Sequence, residues 1–189
     1  MNRYHRWYCA SKGWAKALEK GILPWAFDGI DLGDDALEIG PGPGLTTDLI
    51  RQRVDRLTCL EIDSKLATKL ERRLAGTNVT VVEGDGTAMP FEDGRYSSAI
   101  SLTMLHHIPS SEGQDALFRE ACRVLKPGGT FVGIDSTPSL RWNLMHILDT
   151  RNPIPPSELA GRLEAAGFTD VEVVAPPRGG FKFRASKPA

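Results

Sequence analysis

The sequence predicts an α/β chain with a doubly wound, seven-stranded, mostly parallel sheet, and three observations carry that prediction. From Asp35 onward, short β-rich runs alternate with helical patterns, an order that requires crossover connections. A glycine-rich turn, Gly40-Pro41-Gly42-Pro43-Gly44, separates the first run from the first helix. The final run, Phe181-Lys182-Phe183-Arg184-Ala185, alternates apolar with charged residues and follows the sixth strand by the short link Pro176-Pro177-Arg178-Gly179-Gly180. A parallel return needs about a dozen residues or more, so this last strand is predicted to run antiparallel.

Ala36–Ile39 reads as strand one and Leu45–Val54 as the helix after the turn. Arg56–Ile62 is strand two. Ser64 is a candidate cap for a helix whose Leu66, Ala67, Leu70 and Leu74 share one face. Val79–Val82 is strand three, a β-branched run of the kind buried on both faces. Ser98–Leu102 is strand four, and Ser111 with Gln114 fits a capping box opening a helix with the stripe Leu117, Phe118, Ala121 and Leu125. Lys126-Pro127-Gly128-Gly129 stops that helix, because proline breaks the hydrogen-bond ladder and glycine accepts a left-handed turn. Thr130–Ile134 is strand five, Ser157–Ala166 a helix ending at Gly167, and Val171–Val174 strand six.

The 189 residues suit one domain, 1–189, with residues 1–30 as a helical arm or lid; at that size a fold buries about 70% of its unfolded surface. Lys and Arg number 23 against 24 Asp and Glu, a net charge of -1 that gives no field suited to a polyphosphate backbone and disfavours nucleic acid as partner. Cys9, Cys59 and Cys122 are widely spaced, form no C-x-x-C pair and have no second cysteine near any histidine, so no zinc site is expected from them. Cys59 and Cys122 fall in apolar segments and read as small buried hydrophobes. Met1–Trp7 is not an apolar leader, and no stretch approaches the ~20 apolar residues of a membrane span, which places the expected location in the cytoplasm.

Glu38-Ile39-Gly40-Pro41-Gly42-Pro43-Gly44 lets the backbone turn tightly and approach a ligand. The helix that follows offers free N–H groups to an anion, and Thr46 and Thr47 add hydroxyls or cap. A nicotinamide or flavin dinucleotide site would need G-x-G-x-x-G, with its third glycine where Leu45 stands; the spacing here is G-x-G-x-G. Glu61 closes strand two in Leu60-Glu61-Ile62-Asp63, where its carboxylate can accept from both hydroxyls of a ribose, while Asp63 suits a helix cap equally well. The loop Glu83-Gly84-Asp85-Gly86-Thr87-Ala88-Met89-Pro90-Phe91 suits an adenine, with Asp85 accepting from its amino group, or an ordinary Asx turn.

On these residues, together with Arg123-Val124-Leu125-Lys126-Pro127-Gly128-Gly129, the chain resembles the class I S-adenosylmethionine-dependent methyltransferases from about Asp35 to Lys187. The resemblance implies a Rossmann-like sheet of seven strands with the last reversed. It also implies S-adenosylmethionine as cofactor, with S-adenosylhomocysteine as product. By resemblance, Gly40, Pro41, Gly42 and Gly44 lie under the methionine portion, Glu61 with Ile62 meets the ribose, Asp85 and Gly86 meet the adenine, and Glu38 supports the loop or the cofactor amine. Leu102, ending strand four, completes the set of implied cofactor contacts.

The first half of the chain also resembles the adenine-dimethylating ribosomal RNA enzymes. Those carry an Asn-Pro-Pro-aromatic box after strand four, where this chain reads Ser101-Leu102-Thr103-Met104-Leu105-His106-His107-Ile108. Without that box, a small-molecule methyltransferase of the ubiquinone-biosynthesis-like branch is the nearer analogue. A ribosomal RNA methyltransferase, an NAD(P)-dependent oxidoreductase and a cofactor-binding protein without turnover are the competing readings.

A sulfonium is already an activated electrophile, so aligning the acceptor and excluding water is the protein's main task. His107 is the first candidate for a base, against a plain packing role, and Asp135 at the end of strand five suits a turn through Ser136 as well as a site. Tyr4, Trp7, Tyr8 and Trp14, with Leu140, Trp142, Met145, His146 and Leu148, are expected either to close an apolar or aromatic acceptor pocket or to pack on the sheet.

Overall fold

The computed structural model describes residues 11–147, 149–176 and 179–189. Tyr4, Trp7, Tyr8, Cys9, Leu148, Pro177 and Arg178, named above, lie outside the described residues, as does the side chain of Met145. Seven strands form one sheet in the order β3-β2-β1-β4-β5-β7-β6. They are β1 (Asp35–Ile39), β2 (Arg56–Glu61), β3 (Val79–Glu83), β4 (Tyr96–Leu102), β5 (Leu125–Ser136), β6 (Thr169–Val174) and β7 (Gly180–Ser186). Neighbours pair in parallel except at β7, which lies antiparallel to both β5 and β6. The alternation read in the sequence holds along β7: Phe181, Phe183 and Ala185 are buried while Arg184 is exposed.

Successive residues of a strand face opposite sides, and here both sides are covered. Leu37, Ile39, Phe118, Phe131 and Phe183 share the core beneath α5 (Ser111–Val124) and α7 (Pro156–Ala165). Ala36, Leu57, Cys59, Ile100 and Val132 share the other, with residues of α2 (Leu23–Ala26), α3 (Leu45–Ile50) and α4 (Ser64–Leu74). Helix α1 (Lys12–Ala17) runs through a π-helical turn, Leu18–Ile22, into α2, and Leu18, Leu23 and Ala26 are buried in that second core. A further helix, α6 (Leu140–Met145), follows β5. Cys59 and Cys122 are buried and free, as their apolar settings predict.

Several features narrow or differ from the sequence reading. Helix α3 stops at Ile50 rather than Val54: the Ile50 carbonyl, which Val54 N–H would take in a longer helix, accepts from Arg53 N–H at 2.8 Å, and the Asn78 amide donates to the Arg51 and Val54 carbonyls. Of the two candidates read for the α4 cap, Asp63 holds it and Ser64 does not: Asp63 Oδ1 accepts from Lys65 N–H at 3.0 Å and Leu66 N–H at 3.2 Å. Ser110, not Ser111, caps α5 by accepting from Gly113 N–H, and the Gln114 amide donates to the Leu105 and Asn152 carbonyls instead of closing a box. Leu125 leaves the helical stripe to open β5, where it pairs with Tyr96. Strand β3 is the sheet edge and is half-buried, not enclosed on both faces.

Candidate functional site

Strand order reverses between β1 and β4, and ligands in open α/β sheets bind beyond the strand ends at such a reversal. A cavity of about 510 Å³ opens there. Its wall is made by the segments leaving four strands: Gly40-Pro41-Gly42-Pro43 after β1, Glu61-Ile62-Asp63 at the end of β2, Gly84-Asp85-Gly86-Thr87 after β3 and Leu102-Thr103-Met104 at the end of β4. Trp14 and Leu18 of the N-terminal helices, Leu117 of α5 and His107 complete it.

The turn after β1 is held in a conformation that favours glycine. Gly40, Gly42 and Gly44 have φ of 67°, 55° and 82°, in the left-handed region. A Cβ at Gly40 would overlap Met104 Cγ. Backbone therefore faces the cavity where a side chain would otherwise stand.

Glu61 is 5% exposed and reaches across from β2 to this turn. Its Oε2 accepts from Gly42 N–H at 2.9 Å, and its Oε1 accepts from Asp63 N–H at 3.0 Å. One carboxylate thus fixes the glycine turn and stands on the cavity wall. Ile62, the next residue, is 67% exposed, an apolar surface turned outward beside a polar one.

Glu38 and Gly44 are the two expected cofactor contacts that do not line the cavity. Glu38 is directed into the opposite layer, where it accepts from the Thr46 and Thr47 hydroxyls and from the Cys59 thiol, the Thr47 bond being 2.6 Å. The two threonines that follow the turn are tied to a strand residue before it, so Glu38 supports the loop. Burial raises its carboxyl above the ordinary range, against the lowering effect of those bonds, and burial likewise pushes the Cys59 thiol up.

The sign of that shift sets a pH dependence. A raised folded value means that the folded chain holds the proton more tightly than the unfolded chain. Stability is therefore lost as pH rises from the ordinary carboxyl range through the raised value. Thermal melts of wild type and Glu38→Gln should show the wild-type-minus-variant difference falling across that rise. A difference independent of pH would remove Glu38 as its source.

The loop after β3 is set by its own hydrogen bonds. Asp85 Oδ1 accepts from Thr87 N–H at 2.8 Å, the Asx turn read in the sequence, and Oδ2 has no hydrogen-bond partner among the described residues. Farther along, Arg123 pairs with Glu120 and Asp93 and donates to the Met89 and Phe91 carbonyls, while Glu120 accepts from Met89 N–H. The pairing with Arg123 holds the Glu120 carboxyl below its usual range. The arginine of the Arg123–Gly129 motif therefore anchors the loop that carries Asp85 and Gly86.

His107 lies on the cavity wall, as a base would, with its Nδ1 3.8 Å from Asp149 Oδ1. Leu140, Trp142 and His146 do not line this cavity: Leu140 is 79% exposed, and Trp142 and His146 are buried against His106, in line with the packing alternative. Sequence reading missed Thr103, which adopts φ 55° beside the cavity and donates its N–H to Ile134. A non-glycine residue there stores about 1–3 kcal/mol of backbone strain, and no sequence signal marks it. It missed as well the pairing of His106 with Asp135, which needs a contact across 29 residues.

A family model described as "Methyltransferase domain" matches residues 37–133, more than half of the 189. Among curated proteins, the chain is 31% identical over 106 residues to "Ribosomal RNA small subunit methyltransferase A" of Dechloromonas aromatica (strain RCB), covering 55% of this chain and 40% of that protein. It is 28% identical over 159 residues to "2-methyl-6-phytyl-1,4-hydroquinone methyltransferase 1, chloroplastic" of Oryza sativa subsp. japonica, covering 76% of this chain and 47% of that one. The chain thus spans less than half the length of these two relatives. The fold is that of N-methyltransferase NodS from Bradyrhizobium japonicum WM9, solved with S-adenosyl-l-homocysteine, at TM-score 0.74 and 14% identity over 97% of this chain and 92% of that one. The matched residues run from within β1 to within β5 and take in the glycine turn, Glu61, the Asp85 loop and the Arg123 motif, so the chain belongs to the methyltransferase-domain family.

Proposed function

We propose that the chain transfers a methyl group from S-adenosylmethionine to a small-molecule acceptor in the cytoplasm. The observation that carries this reading is the Glu61 carboxylate, brought from β2 to within 2.9 Å of the Gly42 N–H at the sheet's reversal point. The residues present fit a sulfonium nucleoside. The cavity lies within the roughly 300–1,000 Å³ of small-molecule sites, and at Gly40 and Gly42 its β1 wall carries no side chain. When bound, S-adenosylmethionine supplies a methyl group on a positively charged sulfur. Gly40, Pro41 and Gly42 leave room for the amino-acid end, and Glu61 accepts from the ribose hydroxyls. Ile62 and Leu102 offer apolar contact, and Asp85 with Gly86 receives the adenine. Glu38 and Gly44 shape the turn from behind. Trp14 and Leu18 cover the cavity as part of a lid, and His107 on the wall polarises or deprotonates the acceptor.

The hydroquinone relative's coverage of the chain and the net charge of -1 support a small acceptor over RNA. Calorimetry with S-adenosylhomocysteine and with NAD, followed by label transfer from labelled cofactor to phenols, quinols, amines and ribosomal RNA, tests the reading. Binding of S-adenosylhomocysteine with label in a small acceptor is expected. Heat with NAD alone would remove methyl transfer, and label entering only RNA would move the chain to the ribosomal reading.

A further inference from the structure

Three histidines meet beside the cavity from two parts of the chain: His106 and His107 in the 3-10 turn that follows β4, and His146 directly after α6. One ring nitrogen from each lies within 4.8 Å of the others. Hydrogen bonds fix two of the tautomers. The Trp142 carbonyl can only accept, so His146 Nδ1, 2.8 Å away, carries a hydrogen. Asp135 also acts as an acceptor: its Oδ1 takes the Ser136 N–H at 2.7 Å and its Oδ2 takes the His106 N–H at 3.0 Å. His106 Nδ1, 2.5 Å from Oδ1, is therefore a donor as well.

With both rings neutral, both Nε2 atoms then present lone pairs, and they face each other at 3.1 Å. Two lone pairs at that separation repel unless a positive centre joins them. A zinc-class ion about 2.0–2.1 Å from each of two nitrogens, at a tetrahedral angle, sets them about 3.3–3.4 Å apart. The observed spacing needs only a slight opening. The third nitrogen, on the partly exposed His107, must close to that spacing from within 4.8 Å. The alternative centre is a proton shared between the two Nε2 atoms, which the titration below reads as no metal uptake. A ligating histidine commonly donates its other N–H to a carboxylate or a backbone carbonyl, and His106 and His146 use one of each.

We propose that His106, His107 and His146 hold a divalent transition-metal ion of the zinc class, with Asp135 orienting His106. His107 also lines the cavity, so the ion lies at the cavity wall. A three-histidine site keeps a further coordination position, and its use for an oxygen donor of the acceptor, with the ion rather than a free His107 as the polarising group, rests on the methyl-transfer reading.

The test is a titration of chelator-stripped full-length protein with Co2+, then Zn2+, with S-adenosylhomocysteine affinity measured on the same metal-free samples. One equivalent of Co2+ with a low-symmetry visible band, displaced by Zn2+, is expected. His146→Ala should abolish it, and Asp135→Asn should weaken it about 10- to 100-fold. No saturable uptake by wild type, or uptake unchanged in His146→Ala, would overturn the site. Should His146→Ala fail to fold, the wild-type and Asp135→Asn titrations decide. S-adenosylhomocysteine binding without Co2+ uptake overturns the metal site alone, and Co2+ uptake without S-adenosylhomocysteine binding overturns the methyl-transfer reading alone.

Discussion

Gly42→Val is expected to abolish S-adenosylhomocysteine binding, a loss of at least about 100-fold or ~3 kcal/mol, in a chain that still folds. Gly42 has φ 55° and lines the cavity. A β-branched residue is a steric outlier at that φ, at about 1–3 kcal/mol. The turn must either shift, displacing the N–H that Glu61 accepts, or keep its course and place a branched side chain on the cavity wall. Both outcomes remove the bare surface against which the amino-acid end of the cofactor would lie. Gly76→Val is the control: φ there is 80°, with open space around the added Cβ and no part in the cavity, so it carries a similar backbone penalty without loss of binding. Calorimetry on both variants, with circular dichroism to confirm folding, reads the result. Retained binding by Gly42→Val would show that the turn is not where the cofactor lies.

Glu61→Ala is expected to weaken S-adenosylhomocysteine about 10- to 100-fold, because hydrogen bonds to a charged group contribute about 1.5–3 kcal/mol. The same change has a structural effect that the sequence did not suggest. Gly42 N–H and Asp63 N–H both donate to this carboxylate, so the variant loses the tie between the β1 turn and the β2 end, at about 1–3 kcal/mol of stability. Glu61→Gln separates the two effects. Its amide oxygen can still take one N–H, restoring part of the melting temperature, but it lacks the charge and the second acceptor a ribose diol uses. Affinity unchanged in folded Glu61→Ala would remove Glu61 from the site.

The sheet was legible because its signals are local. Alternation along Phe181–Ala185 and the short link before it were enough to reverse β7, and short β-rich runs between helical patterns located the other strands. Its neighbours were not, since β7 lies between β5 and β6 through pairings no local pattern encodes. The missed cap at Ser110 and the open choice between Asp63 and Ser64 have one origin. Asp63 and Ser64, like Ser110 and Ser111, are adjacent capping residues, and backbone geometry decides which of the two is extended. Strand β3 misled because a β-branched run has the same composition at an edge as in the centre.

At the site, the glycine turn and Glu61 were readable because each lies at a strand end with a chemical reason for its type. Glu38 was readable as a support, but its direction away from the cavity follows from strand pleat and from Thr46 and Thr47. Asp135 and His106 were each ordinary in sequence. Only the pairing of β4 with β5 brings the turn after one strand to the end of the other, and so makes the pair visible.

The most direct measurement is a crystal structure of the chain with S-adenosylhomocysteine. The predicted result is a nucleoside in the cavity beyond β1 and β4, both ribose hydroxyls within hydrogen-bond distance of the Glu61 carboxylate and the amino-acid end over Gly40 and Gly42. A nucleoside bound elsewhere, with Glu61 still engaged only by the N–H groups of Gly42 and Asp63, would contradict it.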